Sequence, residues 1–229
     1  MSYVTAVVPA AGQGSRMKSG VKKQFIMLQD KPVLVHTLEI FEKCSLVSDV
    51  IVVITPGEED YCRRMIQEYG LTKVARVVTG GPERLHSVAL GLDHVSKSCD
   101  IVAVHDGARP LLLLSNLIEV LCAVPEHDGA LLAVPVKDTI KEITADQIVK
   151  RTLDRSILWA AQTPQVFKKE VLSYVYAKAL EQGLTGTDDA SLAEHFGFTI
   201  KIVPGSYENI KITTPEDLDL AEQILKRRE

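Results

Sequence analysis

Short runs of β-branched and other apolar residues recur at 4–9, 50–54, 74–78, 101–104 and 130–136, with helical patterns between them. These runs are apolar almost throughout. A strand with one wet face alternates, whereas a continuously apolar strand is covered on both faces. Strands of this kind separated by helices pair in parallel, because each connection must cross back over the sheet. The pattern predicts an α/β fold, a three-layer, doubly wound, mostly parallel sheet. Helices are expected at 32–41, 58–69, 83–95 and 116–124. Pro32 stands at or near a first helical position, Gly70 at a stop, and Ser115 as a cap candidate.

At 229 residues the chain suits one large domain, 1–229. A chain of this length buries about 70–75% of its unfolded surface and needs no disulfide or metal to hold its core. Cys44, Cys62, Cys99 and Cys122 lie far apart without a Cys-x-x-Cys, and read as reduced thiols. The charge balance, 26 Lys+Arg against 30 Asp+Glu, argues against nucleic acid or a membrane surface as partner. It leaves room for one local basic pocket. The longest apolar run, 130–136, is far short of the roughly 20 residues that span a bilayer. Met1-Ser2-Tyr3 begins no signal peptide, so a cytoplasmic location is expected.

The rhythm breaks at 137–155, which is polar and alternating. Thr139-Ile140-Lys141 and Ile148-Val149-Lys150, around a turn at Ala145-Asp146, read as an exposed β-hairpin arm. A lone hairpin is marginal in water. The arm is therefore expected to pack on a second subunit, making a homodimer. Beyond it, helices are expected at 168–180, 188–196 and 215–226 and a strand at 198–203. Thr214 stands as the cap of the last helix.

Ligands bind this fold class beyond the carboxyl ends of the strands. The first strand runs into Pro9-Ala10-Ala11-Gly12-Gln13-Gly14-Ser15-Arg16-Met17. Small residues there let backbone N–H groups approach a phosphate. The dinucleotide fingerprint fails at Met17, and a Walker A Gly-Lys-Ser/Thr is absent. The second strand ends in Thr55-Pro56 with no ribose-binding acid, which also disfavours an NAD-dependent oxidoreductase. Arg16, Lys18, Lys22, Lys23 and Lys31 follow the turn. A basic stretch is ordinarily a solvated face; beside a glycine turn it suits a polyanion such as a nucleoside triphosphate.

Further motifs follow in order. They are Gly80-Gly81 with Glu83-Arg84 and Ser87, His105-Asp106-Gly107-Ala108-Arg109-Pro110, Asp154-Arg155 with Leu158-Trp159, Gln162-Thr163-Pro164-Gln165, Thr187-Asp188-Asp189-Ala190, and Asn209-Ile210-Lys211. With Pro9 to Met17 and Lys23-Gln24-Phe25, this series resembles the nucleotidyltransferases that make sugar or polyol nucleotides, in particular the cytidylyltransferases of the non-mevalonate isoprenoid pathway. The resemblance implies transfer from CTP to a polyol phosphate, 2-C-methyl-D-erythritol 4-phosphate, with release of pyrophosphate. Ribitol 5-phosphate is the alternative acceptor. It is disfavoured because Pro9-Ala10-Ala11-Gly12 stands where such relatives tend to read Ala-Gly-Gly.

The resemblance also implies residue roles. Arg16 and Lys23 contact the triphosphate at the reacting centre. Ala10, Ala11, Gly12, Gly14, Gly81 and Ser87 hold the nucleotide. Asp106 binds substrate and Mg²⁺. Arg109, Thr139, Arg155, Thr163 and Lys211 hold the polyol phosphate, Thr139 and Arg155 being delivered by the partner's arm. The residues themselves suggest that His105 is a packed histidine and that Asp188 and Asp189 face the positive end of a helix capped by Thr187. The resemblance sets Glu208 at a position of an acidic metal-side residue, where glutamate's greater length leaves it out of the expected ligands.

Overall fold

A computed structural model of the chain describes residues 2–12 and 22–228. Chain order runs β1 (Val4–Ala10), β2 (Met27–Leu28), β3 (Lys31–Pro32), α1 (Val33–Lys43), β4 (Asp49–Ile54), α2 (Glu59–Glu68), β5 (Val74–Thr79) and α3 (Arg84–Leu92). Then come β6 (Ile101–Val104), α4 (Leu114–Ala123), β7 (Gly129–Pro135), β8 (Lys141–Ile143), β9 (Val149–Thr152) and β10 (Trp159–Lys168). The chain closes with α5 (Lys169–Glu181), α6 (Asp189–His195), β11 (Ile200–Pro204) and α7 (Pro215–Arg228).

Seven strands form one sheet in the order β11-β7-β10-β6-β1-β4-β5, and only β10 runs antiparallel to its neighbours. The apolar runs of β1, β4, β6 and β7 are covered on both faces as expected, whereas β5, at the sheet edge, leaves Ala75, Arg76 and Thr79 exposed. Ala6, Val8, Val50 and Val52 pack in one layer with Leu34, Leu38, Phe41 and Leu117 of α1 and α4. Val7, Ile51, Val53 and Val104 pack in the other with Val88, Leu172, Val175 and Leu192 of α3, α5 and α6. Successive residues of one strand thus serve opposite layers.

Strand order reverses at β1. From it the chain steps outward through β4 to β5, then returns to the other side as β6. The crevice at such a reversal is where open α/β sheets bind ligands.

Three local expectations are corrected. α4 begins at Leu114 with Leu113 as an N-cap that makes no side-chain hydrogen bond, so Ser115 lies inside the helix. α6 is capped by Asp188, whose side chain accepts from the Ser191 N–H in a capping box, and not by Thr187. Third, 159–168, assigned to no element from sequence, is the central strand β10. Gln162, Thr163, Pro164 and Gln165 disguise it, since Pro in a run argues against a central strand. The structure accommodates them in a register shift between Ala161 and Gln165 against β7. Bulges of this kind favour places beside active sites, where they re-aim side chains.

The arm is an insertion between β7 and β10, so it leaves the sheet at the carboxyl end of β7. Its strands β8 and β9 pair only with each other, around a turn at Ala145-Asp146. Thr139 lies just before β8 and not within it.

Candidate active site

The segments after β1, β4, β5 and β6 converge on a cavity of about 490 Å³, within the size range of small-ligand sites. β1 contributes Ala10, Ala11 and Gly12, β4 Thr55 and Pro56, β5 Gly80 to Pro82, and β6 Asp106 to Ala108; Lys211 comes from a late loop. Close backbone approach makes two glycines necessary. A Cβ on Gly80 would lie 2.5 Å from the Ala11 Cβ, and one on Gly107 2.9 Å from the Ala10 Cβ. Ser87, from α3, is buried, and its Oγ accepts from the Gly81 N–H at 3.1 Å.

Asp106 is the charged centre of this cavity. It is 7% exposed. Lys211 Nζ lies 2.8 Å from its Oδ2, Arg84 Nε donates to its Oδ1 at 3.2 Å, and Arg109 Nε stands 3.7 Å from Oδ2. Burial alone would raise the carboxyl's pKa. The charges of Arg84, Lys211 and Arg109 outweigh burial and hold it well below the usual carboxylate range. Asp106 thus stands among three cations, one of which, Arg84, it shares with the buried Asp189.

Behind Asp106 lies a chain of hydrogen bonds. His105 is fully buried; its Nε2 is 3.1 Å from the Arg109 carbonyl oxygen and its Nδ1 2.9 Å from Thr163 Oγ1. A carbonyl only accepts, so Nε2 carries the proton of the neutral ring. Thr163 Oγ1 therefore donates to Nδ1, and itself accepts from the Asp106 N–H at 3.1 Å. The hydroxyl of Thr163 thereby fixes the strand end that presents Asp106.

Burial pushes the His105 pKa down to about 4. Below about pH 6.5 the unfolded histidine binds a proton that the folded one refuses until about pH 4. Stability is therefore lost as pH falls through that window. In urea unfolding without substrate or divalent ion, the wild type is expected to lose about 2 kcal/mol more than His105→Asn between pH 7 and pH 5. Equal losses would show that another group titrates.

Arg109 braces the site. Its Nη1 donates to the Asn209 carbonyl at 2.8 Å, and Asn209 in turn donates to the Thr163 carbonyl at 2.9 Å. Glu208 is engaged by Arg227 and Arg228 of α7. Lys22 pairs with Glu58 at 2.8 Å. Lys23 opens a short 3-10 turn, Lys23–Phe25. The next residue, Gln24, lines the cavity at 1% exposure, and among the described residues neither its Oε1 nor its Nε2 has a partner. Buried polar atoms are nearly always paired, so this amide has hydrogen-bonding capacity to offer a polar ligand in the cavity.

The structure thus brings together Ala10, Ala11, Gly12, Gly81, Ser87, Asp106 and Lys211 around one cavity, with Thr163 and Arg109 directly behind. Thr139 and Arg155 lie on the exposed arm and not among the cavity's lining residues. Gly14 and Arg16 lie outside the described residues. Sequence reading missed Arg84 and Asp189 as site residues. The Glu83-Arg84 and Asp188-Asp189 pairs were visible, but nothing in their spacing says that Arg84 Nη1 and Asp189 Oδ1 meet at 2.9 Å across 105 residues.

Among the described residues no three His, Cys, Asp or Glu side chains cluster as metal ligands. Mg²⁺ typically takes one or two carboxylates and completes its shell with water and substrate phosphates. Of the described residues, two acidic ones line the cavity, Asp106 and Glu83, and the Asp106 carboxylate fits that donor set.

Fold and cavity suit a nucleotidyltransferase, and comparison with known proteins shows that class. Residues 4–227 match the family model of 2-C-methyl-D-erythritol 4-phosphate cytidylyltransferase, IspD. The protein of that name from Alkaliphilus metalliredigens (strain QYMF) is 47% identical over 228 residues, 99% of this chain and 95% of that one. Its namesake from Pelotomaculum thermopropionicum is 47% identical over 230 residues, covering 100% and 97% of the two chains. The crystal structure of 4-diphosphocytidyl-2C-methyl-D-erythritol synthase from Anaerococcus prevotii DSM 20548 superposes with a TM-score of 0.88 at 31% identity, covering 99% and 97%. The chain belongs to the 2-C-methyl-D-erythritol 4-phosphate cytidylyltransferase family.

Proposed function

We propose that the chain transfers a cytidylyl group from CTP to 2-C-methyl-D-erythritol 4-phosphate and releases pyrophosphate. The observation that carries this reading is the cavity at the strand-order reversal, with small residues and glycines on one side and Asp106 among three cations on the other. The attacking group is a phosphate oxygen, ionised at neutral pH, so no strong general base is needed. What limits such a reaction is repulsion between two anions and the charge that builds on the α-phosphorus oxygens.

The residues divide this work. Backbone N–H groups of Ala10 to Gly12, continuing to Gly14, cradle the triphosphate. Gly81 and the buried Ser87 face the cytosine. Arg16 and Lys23 supply fixed positive charge at the phosphates, arginine as a planar fork and lysine as a point charge. Lys211 draws the second substrate's phosphate to the α-phosphorus. Mg²⁺, held by Asp106 and triphosphate oxygens, would neutralise charge that the side chains leave uncovered.

The arm fits a role in a homodimer. Ile143, Ile148 and Val149 are all more than half exposed on it, as is Ile157 just beyond it, and the flanking cations are exposed. Packing against a second copy would bury them and carry Thr139 and Arg155 to the partner's acceptor phosphate. Arg155 donates from Nη1 to the Lys137 carbonyl, which leaves other guanidinium donors free to bind. Arg155→Ala is expected to raise KM for the polyol phosphate by tenfold or more, the loss of a charged hydrogen bond of about 1.5–3 kcal/mol. KM for CTP should stay within a factor of two; a parallel rise in both counts against delivery by the arm. No helix among the described residues is long and apolar enough to cross a membrane, and the reaction uses only water-soluble substrates, in keeping with a cytoplasmic enzyme.

The test is pyrophosphate release with CTP and Mg²⁺, comparing 2-C-methyl-D-erythritol 4-phosphate with ribitol 5-phosphate. Preference for the first is expected. Preference for ribitol 5-phosphate would replace the acceptor, and turnover with neither would remove the reading.

A further inference from the structure

Arg84 is held at both ends by carboxylates. Its Nη1 and Nη2 donate to Oδ1 and Oδ2 of Asp189 at 2.9 and 2.7 Å, and its Nε donates to Asp106 Oδ1 at 3.2 Å. A bidentate pair fixes both the plane and the direction of a guanidinium. With both outer nitrogens engaged by Asp189, the remaining nitrogen, Nε, is aimed at Asp106.

Asp189 is itself immobilised. It is fully buried as the first residue of α6, and the Tyr176 hydroxyl also donates to its Oδ1. Asp188, just before it, accepts from Gln165 Nε2 at 2.8 Å, while Gln165 Oε1 accepts from the Ala190 N–H at 2.8 Å. The start of α6 is thus tied to β10 and α5. A brace between α3 and α6 alone would need no third nitrogen on a cavity carboxylate. A fully buried carboxylate is also a costly way to gain stability, because desolvation offsets much of the pair's attraction.

We propose that Asp189 is a positioning residue for the transfer reaction, acting through Arg84 to set the direction in which Asp106 presents its carboxylate to the substrate phosphates and their divalent ion. Asp189 touches no substrate. The proposal rests on the reading of Asp106 given above, and extends the site to α5 and α6.

Turnover, Mg²⁺ dependence, thermal stabilisation by CTP with Mg²⁺ and melting of the free protein test this in Asp189→Asn, Arg84→Ala and the double variant. Asp189→Asn is expected to lower kcat about tenfold or more and to raise the half-saturating Mg²⁺ concentration by a similar factor. KM for the polyol phosphate should change less than threefold. Stabilisation by CTP with Mg²⁺ should shrink, since it reports binding and not chemistry. The double variant should match Arg84→Ala within about a factor of two, because one residue acts through the other.

A lower melting temperature with wild-type kcat and Mg²⁺ dependence overturns the proposal, as do effects that multiply in the double variant. Should Asp189→Asn fail to fold, Tyr176→Phe serves: it keeps the charge and removes one hydrogen bond. It is expected to shift the Mg²⁺ requirement about threefold in the same direction, and no shift counts against the proposal. Wild type without turnover on either polyol phosphate removes the functional reading and this proposal together. An active wild type with indifferent variants removes only this one.

Discussion

Lys23→Ala is expected to lower kcat about 100-fold or more while the chain stays folded, the scale of losing one donor to transition-state charge. Lys23 is the first residue of the Lys23–Phe25 turn, and the adjoining Gln24 lines the cavity with its buried amide. The turn therefore stands at the wall where the phosphates would lie. No side chain is asked to remove a proton from the nucleophile, so the barrier is dominated by charge, on which an ammonium at the phosphates would act directly. The comparison that makes the result interpretable is Lys22→Ala. Lys22 is paired with Glu58, and a partly exposed ion pair is worth about 1 kcal/mol or less. Its loss should leave kcat within a factor of two. Equal losses from the two lysines would mean a diffuse basic surface, not a placed catalytic cation.

Asp106→Asn is the second large effect. The amide keeps the side chain's shape and removes the charge that gathers Lys211, Arg84 and Arg109. kcat should drop about 100-fold, and the Mg²⁺ concentration needed for half activity should rise at least tenfold. Breaking a fully buried ion pair costs about 3–5 kcal/mol. The stability loss here should be smaller, because Lys211 is partly exposed and Arg84 keeps Asp189. Thermal melting with and without CTP and Mg²⁺ separates the two consequences. A protein that melts lower yet keeps wild-type Mg²⁺ dependence would make Asp106 a brace for the loop and nothing more.

How far the molecule could be read in advance differs by element. β1, β4, β6 and β7 announced themselves, because burial on both faces leaves a run that is apolar almost throughout, and β5, an edge strand with Ala75 and Arg76 exposed, showed through its β-branched residues alone. β10 did not. Its central residues are polar because they serve the site: Thr163 bonds His105 and the Asp106 N–H, and Gln165 bonds the start of α6. A strand whose side chains carry hydrogen bonds loses the apolar signature of its position. α6 was placed, but its acids were read as helix-end charges, which suits Asp188 as cap and misses Asp189 as the partner of Arg84.

Sequence by itself determined the layered sheet, the carboxylate after β6 and the arm, because each follows from residues close together along the chain. Only the tertiary structure decided that β10 runs against its neighbours, that His105 is neutral, and that Asp106 is gripped by cations from α3, its own loop and a segment 105 residues further on. The reason is physical. Backbone preference and hydrophobic periodicity act over a few residues and leave a local trace. Charge pairing and desolvation depend on distances that exist only once the sheet has brought remote segments together.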